Sequence, residues 1–187
     1  MAKSEIRLIG IDDAPFDKFR ARETRVIATF FRGGSSMDGL LCTTVAVDGD
    51  DATSKIAAMI KRSRFMPQLQ AILTDGIAVG GFNIIDIKKL SGELKIPVIA
   101  VMRAYPDKPE MEKALRKLGK DDKIALLRSA GRIRKSRHLY VQYKGTTKGF
   151  VDEVIRISCT RSDIPEPLRL AHIIASGIVF GESRGKA

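Results

Sequence analysis

The hydrophobic pattern opens with a period of two. In residues 5–12, EIRLIGID, the positions Ile6, Leu8 and Gly10 fall on one side, Arg7, Ile9 and Ile11 fall on the other, and Pro15 closes the segment. Successive side chains of an extended chain point to opposite faces, so this run predicts a strand buried over most of its length. A second β-rich run, TRVIATFFR, occupies residues 24–32. Gly33-Gly34 supplies a turn, and a third run, LLCTTVAV, follows at 40–47. Three strands joined by short turns predict an antiparallel meander.

Beyond Asp50-Asp51 the period lengthens. Ile56, Met59 and Ile60 recur at helical spacing, and Pro67 prevents that helix from continuing. LQAILT at 69–74 predicts a short apolar strand, and a helix is expected from about 84 to 94. IPVIAVM at 96–102 is apolar on both faces, as a strand covered on both sides is. From Pro106 to about residue 130 the chain reads as helical. The tract RIRKSRHLYVQY reads as a basic turn leading into one more short strand, and helices near 149–158 and 166–180 complete the chain. Three antiparallel strands followed by alternating helices and strands form an α/β mixed sheet, and the order β-β-β-α-β-α-β-α is that of a ribonuclease H-like fold. With 187 residues and no linker rich in Gly, Pro or Ser, a single domain over 1–187 is expected.

Composition narrows the function classes. Hydrophobic residues make up 44% and charged residues 29%, which excludes a disordered or fibrous chain. No apolar run reaches the roughly 20 residues of a spanning helix. The opening MAKSEIRLIGIDD is interrupted by Arg7 and followed by acids, unlike a secretory signal. A cytoplasmic protein without a membrane partner is therefore expected. Cys42 and Cys159 stand in no metal-binding spacing and read as buried free thiols. The net charge of +11 attracts polyanions and makes nucleic acid the expected partner.

Polynucleotidyl transfer on such a sheet requires carboxylates converging from strand ends, because divalent cations about 4 Å apart stabilise the attacking and leaving oxygens. Asp12 and Asp13 end the first strand. Asp75 ends the strand at 69–74, which this topology sets beside the first. Asp12 and Asp75 are thus the candidate catalytic pair and the candidate ligands of Mg²⁺ or Mn²⁺. The structural alternatives are a turn at Asp12 and at Asp75-Gly76, and a helix cap at Asp50 or Asp51. Gly76, Gly80 and Gly81, with Phe82-Asn83, form a loop opening a helix, where backbone N–H groups could meet a phosphate. Phe82 reads as a core anchor and Asp86 as a solvated or capping group.

Several stretches resemble endonuclease V. TDGIAVGGFNIIDIKKLSGELKIPVIAVMR at 74–103 is similar to the segment in which that family's Asp-Gly pair leads through a loop and helix to a Pro-containing strand and a lysine. IPEPLRLAH at 164–172 is similar to its Pro-Glu-Pro-Thr-Arg stretch, and GID at 10–12 to its first-strand Gly-Val-Asp. With GIDDAPF and GGFNIID, the whole chain resembles an archaeal family numbered ninety-nine among the domains of unknown function, itself similar to endonuclease V. The resemblance implies Mg²⁺-dependent cleavage of strands near deaminated adenine, with Asp12 and Asp75 as ligands and Asp51 as the nearest substitute for the family's Glu. The chain also departs from that family. Val79-Gly80-Gly81 replaces a His-Pro-Arg, Gly145-Thr146 replaces a Gly-His, Arg103 replaces the lysine, and SSMDGLLCTT carries no Pro-Tyr wedge.

Basic residues cluster at Lys18, Arg20, Arg22 and Arg25, at Lys61, Arg62 and Arg64, and at Arg132, Arg134, Lys135 and Arg137. The last group, flanked by Tyr140 and Tyr143, is the best candidate for phosphate contact. His172, on the apolar run LRLAHIIASGI, reads as a core-edge histidine rather than a catalytic one. Glu166 reads as a first-turn acid favoured by the helix dipole. Two functions compete on these grounds. One is a metal-dependent nuclease or phosphodiesterase; the other is a nucleic-acid-binding protein that keeps the fold without cleavage. A glycine loop binding a small phosphate is a third.

Overall fold

In the computed structural model, which describes residues 5–185, the three expected strands are β1 (Arg7–Asp13), β2 (Glu23–Arg32) and β3 (Ser36–Ala46), paired antiparallel in chain order. After α1 (Ala52–Lys61), β4 (Ala71–Asp75) lies parallel to β1. A small hairpin, β5 (Ala78–Val79) and β6 (Asn83–Ile84), precedes α2 (Ile87–Leu94), and β7 (Val98–Met102) lies parallel to β4. The expected continuous helix after Pro106 is two helices, α3 (Lys108–Lys117) and α4 (Asp122–Ser129), broken at Gly119, whose φ of 65° ends the first. The basic tract is also more than a turn. It forms β8 (Arg134–Ser136), which pairs antiparallel with β9 (Leu139–Lys144) through a tight turn at Arg137 (φ 56°). The chain ends with α5 (Lys148–Ser158) and α6 (Glu166–Phe180).

The sheet order is β3-β2-β1-β4-β7-β9-β8, with the parallel strands β1, β4 and β7 at its centre. Alternation along these strands makes two cores. Ile9, Ile11, Ile72, Val98 and Ala100 pack with Ile56, Ile60, Leu90 and Leu127 of the helices on one side. Leu8, Ala71, Leu73, Ile99 and Val101 pack with Val151, Val154, Ile155 and Leu168 on the other. β3 is an outer strand with many exposed positions, and Cys42 lies exposed on it. The expected burial of that thiol is therefore corrected. No helix among the described residues is long and apolar enough to cross a membrane.

The approach of α6 to β1 sets the geometry of the second face. A Cβ on Gly10 would lie 2.3 Å from the Pro167 carbonyl carbon and 2.5 Å from the Leu168 nitrogen. Thr29 on β2 donates from Oγ1 to the Pro167 carbonyl at 2.6 Å, and α6 presents the fully buried Ala171 and Ala175 to the sheet. Only a glycine lets the first turn of the helix come this close. Gly10→Ala is expected to destabilise the fold by about 2 kcal/mol or more, because helix backbone rather than a side-chain tip must move. Gly149→Ala on α5, where a Cβ meets nothing within 4 Å, is expected to be neutral or mildly stabilising. Urea unfolding of both variants checks the contrast, and equal effects would contradict it.

Candidate active site

Strand register brings the two aspartates together. Gly10 pairs with Leu73 and Ile11 with Thr74 across the parallel β1–β4 ladder, so the strands end side by side with Asp12 beside Asp75. Both lie on the face shared by Leu8, Leu73 and Val101, since side chains two apart share a face. Asp75 pairs with Val101 of β7, and Arg103 follows two residues later on the same face. Its positive charge acts on Asp75. From above, α6 lowers His172 onto the pair, with Nδ1 3.0 Å from Oδ2 of Asp12. Asp12 is 6% exposed, and its Oδ1 accepts the Asp13 N–H at 2.8 Å.

Burial without enough positive charge shapes the electrostatics. Asp75 is pushed up to about 6, first by desolvation and then by the Asp12 carboxylate, with Arg103 and His172 opposing. Asp13 points to the other face, where Oδ2 accepts the Gly80 N–H at 2.9 Å. It too is pushed up to about 6, again chiefly by burial, with the Gly80 bond opposing. His172 is raised above its ordinary range, foremost by its hydrogen bond to Asp12. Its Nε2 is buried with no hydrogen-bond partner of good geometry among the described residues, although the Arg184 backbone nearby favours its charged form. On the face of Asp12 and Asp75 the site holds two carboxylates, one imidazole and one guanidinium, with Asp13 on the opposite face of the strand.

Asp51 is employed elsewhere. Its Oδ1 accepts the Ala46 N–H at 3.1 Å and the Asn83 side-chain amide at 2.6 Å, while Asn83 Oδ1 accepts the Ala52 N–H. Its charge is not among those that shift Asp13 or Asp75. The further carboxylate that feels the charges of Asp12 and Asp75 is Asp13, from the opposite face of β1. Neighbouring groups lock the glycine loop. Lys123, 2% exposed, donates to the carbonyls of Asp48, Gly49 and Phe82 and pairs with Asp50 at 2.8 Å. Asp48 Oδ1 accepts the Phe82 N–H at 2.7 Å. Gly80 serves Asp13 and the Gly76 N–H donates to Val101, so for these two of the three glycines the expectation that the amide faces a phosphate is corrected. Gly81 packs tightly against Asp48, and Phe82 packs against the core as expected. Gly76 instead borders a mostly apolar pocket of about 170 Å³, lined by Ile77, Met102, Met111 and Leu127 and also by Lys108 and Gln142.

The other candidates separate into near and far. Arg103 opens onto a cleft of about 670 Å³ with His138, Arg161, Ser162 and Asp163. Arg137 adjoins that cleft through His138. Arg132, Arg134 and Lys135 are exposed at β8, the edge strand beyond β7 and β9, and are not brought to the carboxylates. Asp86 caps α2, accepting from the Lys88 and Lys89 N–H groups. Glu166 lies in the first turn of α6 as expected, 3% exposed, and makes a two-pronged bond to Arg169. Burial pushes the Cys159 thiol up to about 12, which leaves it unreactive at neutral pH. His172 is the site residue that periodicity missed. Its apolar helix resembled core, although the stretch similar to endonuclease V ends on it.

A mixed sheet of this order, with three antiparallel strands followed by alternating helices and strands, is a ribonuclease H-like fold. The chain belongs to the endonuclease dU family, whose model matches residues 4–179. A UPF0215 protein of Methanothermobacter thermautotrophicus is 50% identical over 99% of this chain and 93% of its own length. The crystal structure of a protein of unknown function from Archaeoglobus fulgidus superposes with a TM-score of 0.87 at 37% identity, covering 94% of this chain and 99% of that one. Endonuclease V of Ciona intestinalis, in complex with a 24mer DNA containing an inosine, shares the fold at a TM-score of 0.56 and 13% identity, covering 88% of this chain and 82% of that one. The archaeal family and the endonuclease V-like fold expected from the motifs are both borne out.

Asp75 has a raised value in the folded state, so its contribution to stability is full below about 4 and is lost as pH rises through about 6. Asp75→Asn is therefore expected to raise the stability of the metal-free protein at pH 7.5 by about 1–3 kcal/mol and to change it little at pH 3.5. Thermal melts in EDTA at both pH values check this. A variant less stable than the parent at pH 7.5 would contradict it.

Proposed function

We propose that this protein is a divalent-metal-dependent endonuclease that hydrolyses a phosphodiester of nucleic acid at Asp12 and Asp75. The observation that carries the reading is the placement of these two carboxylates on adjacent parallel strand ends, with His172 bonded to one and Arg103 acting on the other. Hard oxygen donors in excess of positive charge suit Mg²⁺ or Mn²⁺. Among the described residues no three His, Cys, Asp or Glu groups stand close enough to enclose an ion. Asp12 and Asp75 would therefore hold it together with water and substrate oxygens, as Mg²⁺ is often held. When bound, such a cation supplies charge stabilisation and an activated water.

The chain's own residues account for the remainder. His172 holds a proton at Nδ1 against Asp12 and so fixes the orientation of that carboxylate. Arg103 offers a charged fork to a phosphate at the mouth of the cleft. The apolar pocket beside Gly76 suits a flat uncharged group such as a nucleobase better than a phosphate. The family's description makes deoxyuridine the nucleoside to test first, and the inosine-containing DNA bound by the Ciona protein makes deoxyinosine the second. The net charge of +11 supports a polyanionic partner.

Labelled single-stranded DNA carrying one deoxyuridine, one deoxyinosine or neither, with RNA counterparts, is incubated with Mn²⁺, Mg²⁺ or EDTA. Cleavage is expected with metal only, and Asp12→Ala and Asp75→Ala are each expected to reduce it by about 10³-fold or more. Cleavage by Asp12→Ala at the parent rate contradicts the assignment. Salt-sensitive binding without cleavage of any substrate replaces it with the non-catalytic nucleic-acid-binding reading.

A further inference from the structure

One large apolar side chain stands almost wholly in water at the carboxylate end of the sheet. Phe19 is 97% exposed, the most exposed of the large hydrophobic side chains among the described residues. It lies in the connection from β1 to β2, six residues after Asp13, so its backbone is within about 20 Å of the site. The connection is anchored at its base. The Ala14 N–H donates to the Arg25 carbonyl at 2.7 Å, and Thr24 Oγ1 donates to the Ala14 carbonyl at 2.8 Å. The tip is also built. Asp17 Oδ1 accepts the Phe19 N–H at 2.9 Å, and the Asp17 carbonyl accepts the Ala21 N–H at 2.9 Å. A turn tied in this way presents its aromatic ring outward.

The ring does not stand alone. Lys18, Arg20 and Arg22 are exposed on either side of it. Arg20 has a side chain 90% exposed whose nearest carboxylate, Asp17, is 4.0 Å away. Cations interleaved with one isolated aromatic match a strand in which charged phosphates flank a flat base. An apolar protein surface would call for a continuous patch instead, and around Phe19 the exposed neighbours are charged.

We infer that Phe19 is a stacking platform for an unpaired nucleobase of the bound strand, with Lys18, Arg20 and Arg22 on the adjoining phosphates. This rests on the nucleic-acid reading of the site. The platform would grip the strand a few nucleotides from Asp12 and Asp75 and hold it there by a contact that every base can make.

The chain contains no tryptophan, so Phe19→Trp installs a single reporter. Binding of fluorescein-labelled single-stranded DNA is measured by anisotropy in EDTA, where no cleavage competes. Phe19→Ala is expected to weaken binding by about 5- to 150-fold with an unchanged Tm and an unchanged salt slope, because stacking is lost and phosphate contacts are kept. Arg20→Ala is expected to make the salt slope shallower by about 0.7. Emission of Phe19→Trp is expected to be quenched by unlabelled DNA and not by an abasic sugar-phosphate oligomer. Binding by Phe19→Ala within twofold of the parent, or tryptophan emission unmoved at saturation, overturns the inference. If the parent binds and cleaves while Phe19→Ala matches it, this inference alone fails. A parent chain that binds no strand at all removes both this inference and the nuclease reading.

Discussion

The close contact between the first turn of α6 and Gly10 of β1 is the constraint on which the site depends. Gly10 lies two residues before Asp12 on the same face of the strand, so the spot that admits the helix backbone adjoins the spot that carries the carboxylate. One turn and a half beyond Pro167 along α6 comes His172, and that rise sets its imidazole on Asp12. The buried alanines at 171 and 175 keep the helix close, and Thr29 ties its first turn to β2. A bulkier residue at position 10 would lift the helix and the histidine together. Packing and chemistry are thus joined in one short stretch of β1.

Charge is distributed in two distinct ways around the strand ends. Asp48, Asp50 and Asp51 are each matched by local donors: backbone N–H groups, the Asn83 amide and the buried Lys123 ammonium. Those pairings bind the loop after β3 to the glycine loop and hold Gly80 against Asp13. Asp13 and Asp75 receive less compensation, and burial raises both to about 6. A rigid, internally satisfied loop therefore borders a cluster that retains uncompensated negative charge. Such a cluster is costly in a structural role and suited to holding a cation.

Much of this was legible in the sequence, and the failures have physical reasons. The period-two run ending in Asp12 and the short apolar run ending in Asp75 located the pair, because neighbouring parallel strands bring their C-terminal ends to the same edge of the sheet. Asp51 was legible only as an acid near a helix start. Its engagement by Ala46 and Asn83 depends on a tertiary contact with β6 that no local pattern encodes. The glycines at 76, 80 and 81 marked a loop correctly, but glycine spacing does not reveal that carboxylates and carbonyls within the fold already take its amides. His172 was masked by the apolar periodicity of its helix, since a residue at the core's edge and one set above the Asp12 carboxylate share one helical position. β9 was legible as a short strand, but its partner β8 was hidden by charge, because an edge strand facing water loses the hydrophobic alternation that marks a buried one.

The central claim is that Asp12 and Asp75 form a cation site beneath His172. Anomalous diffraction from crystals soaked in Mn²⁺ tests it most directly. The account predicts a strong manganese peak within coordination distance of both carboxylates, lost in Asp75→Ala. A peak confined to the Asp48–Asp50 loop, or no peak at Asp12 at saturating Mn²⁺, would contradict it.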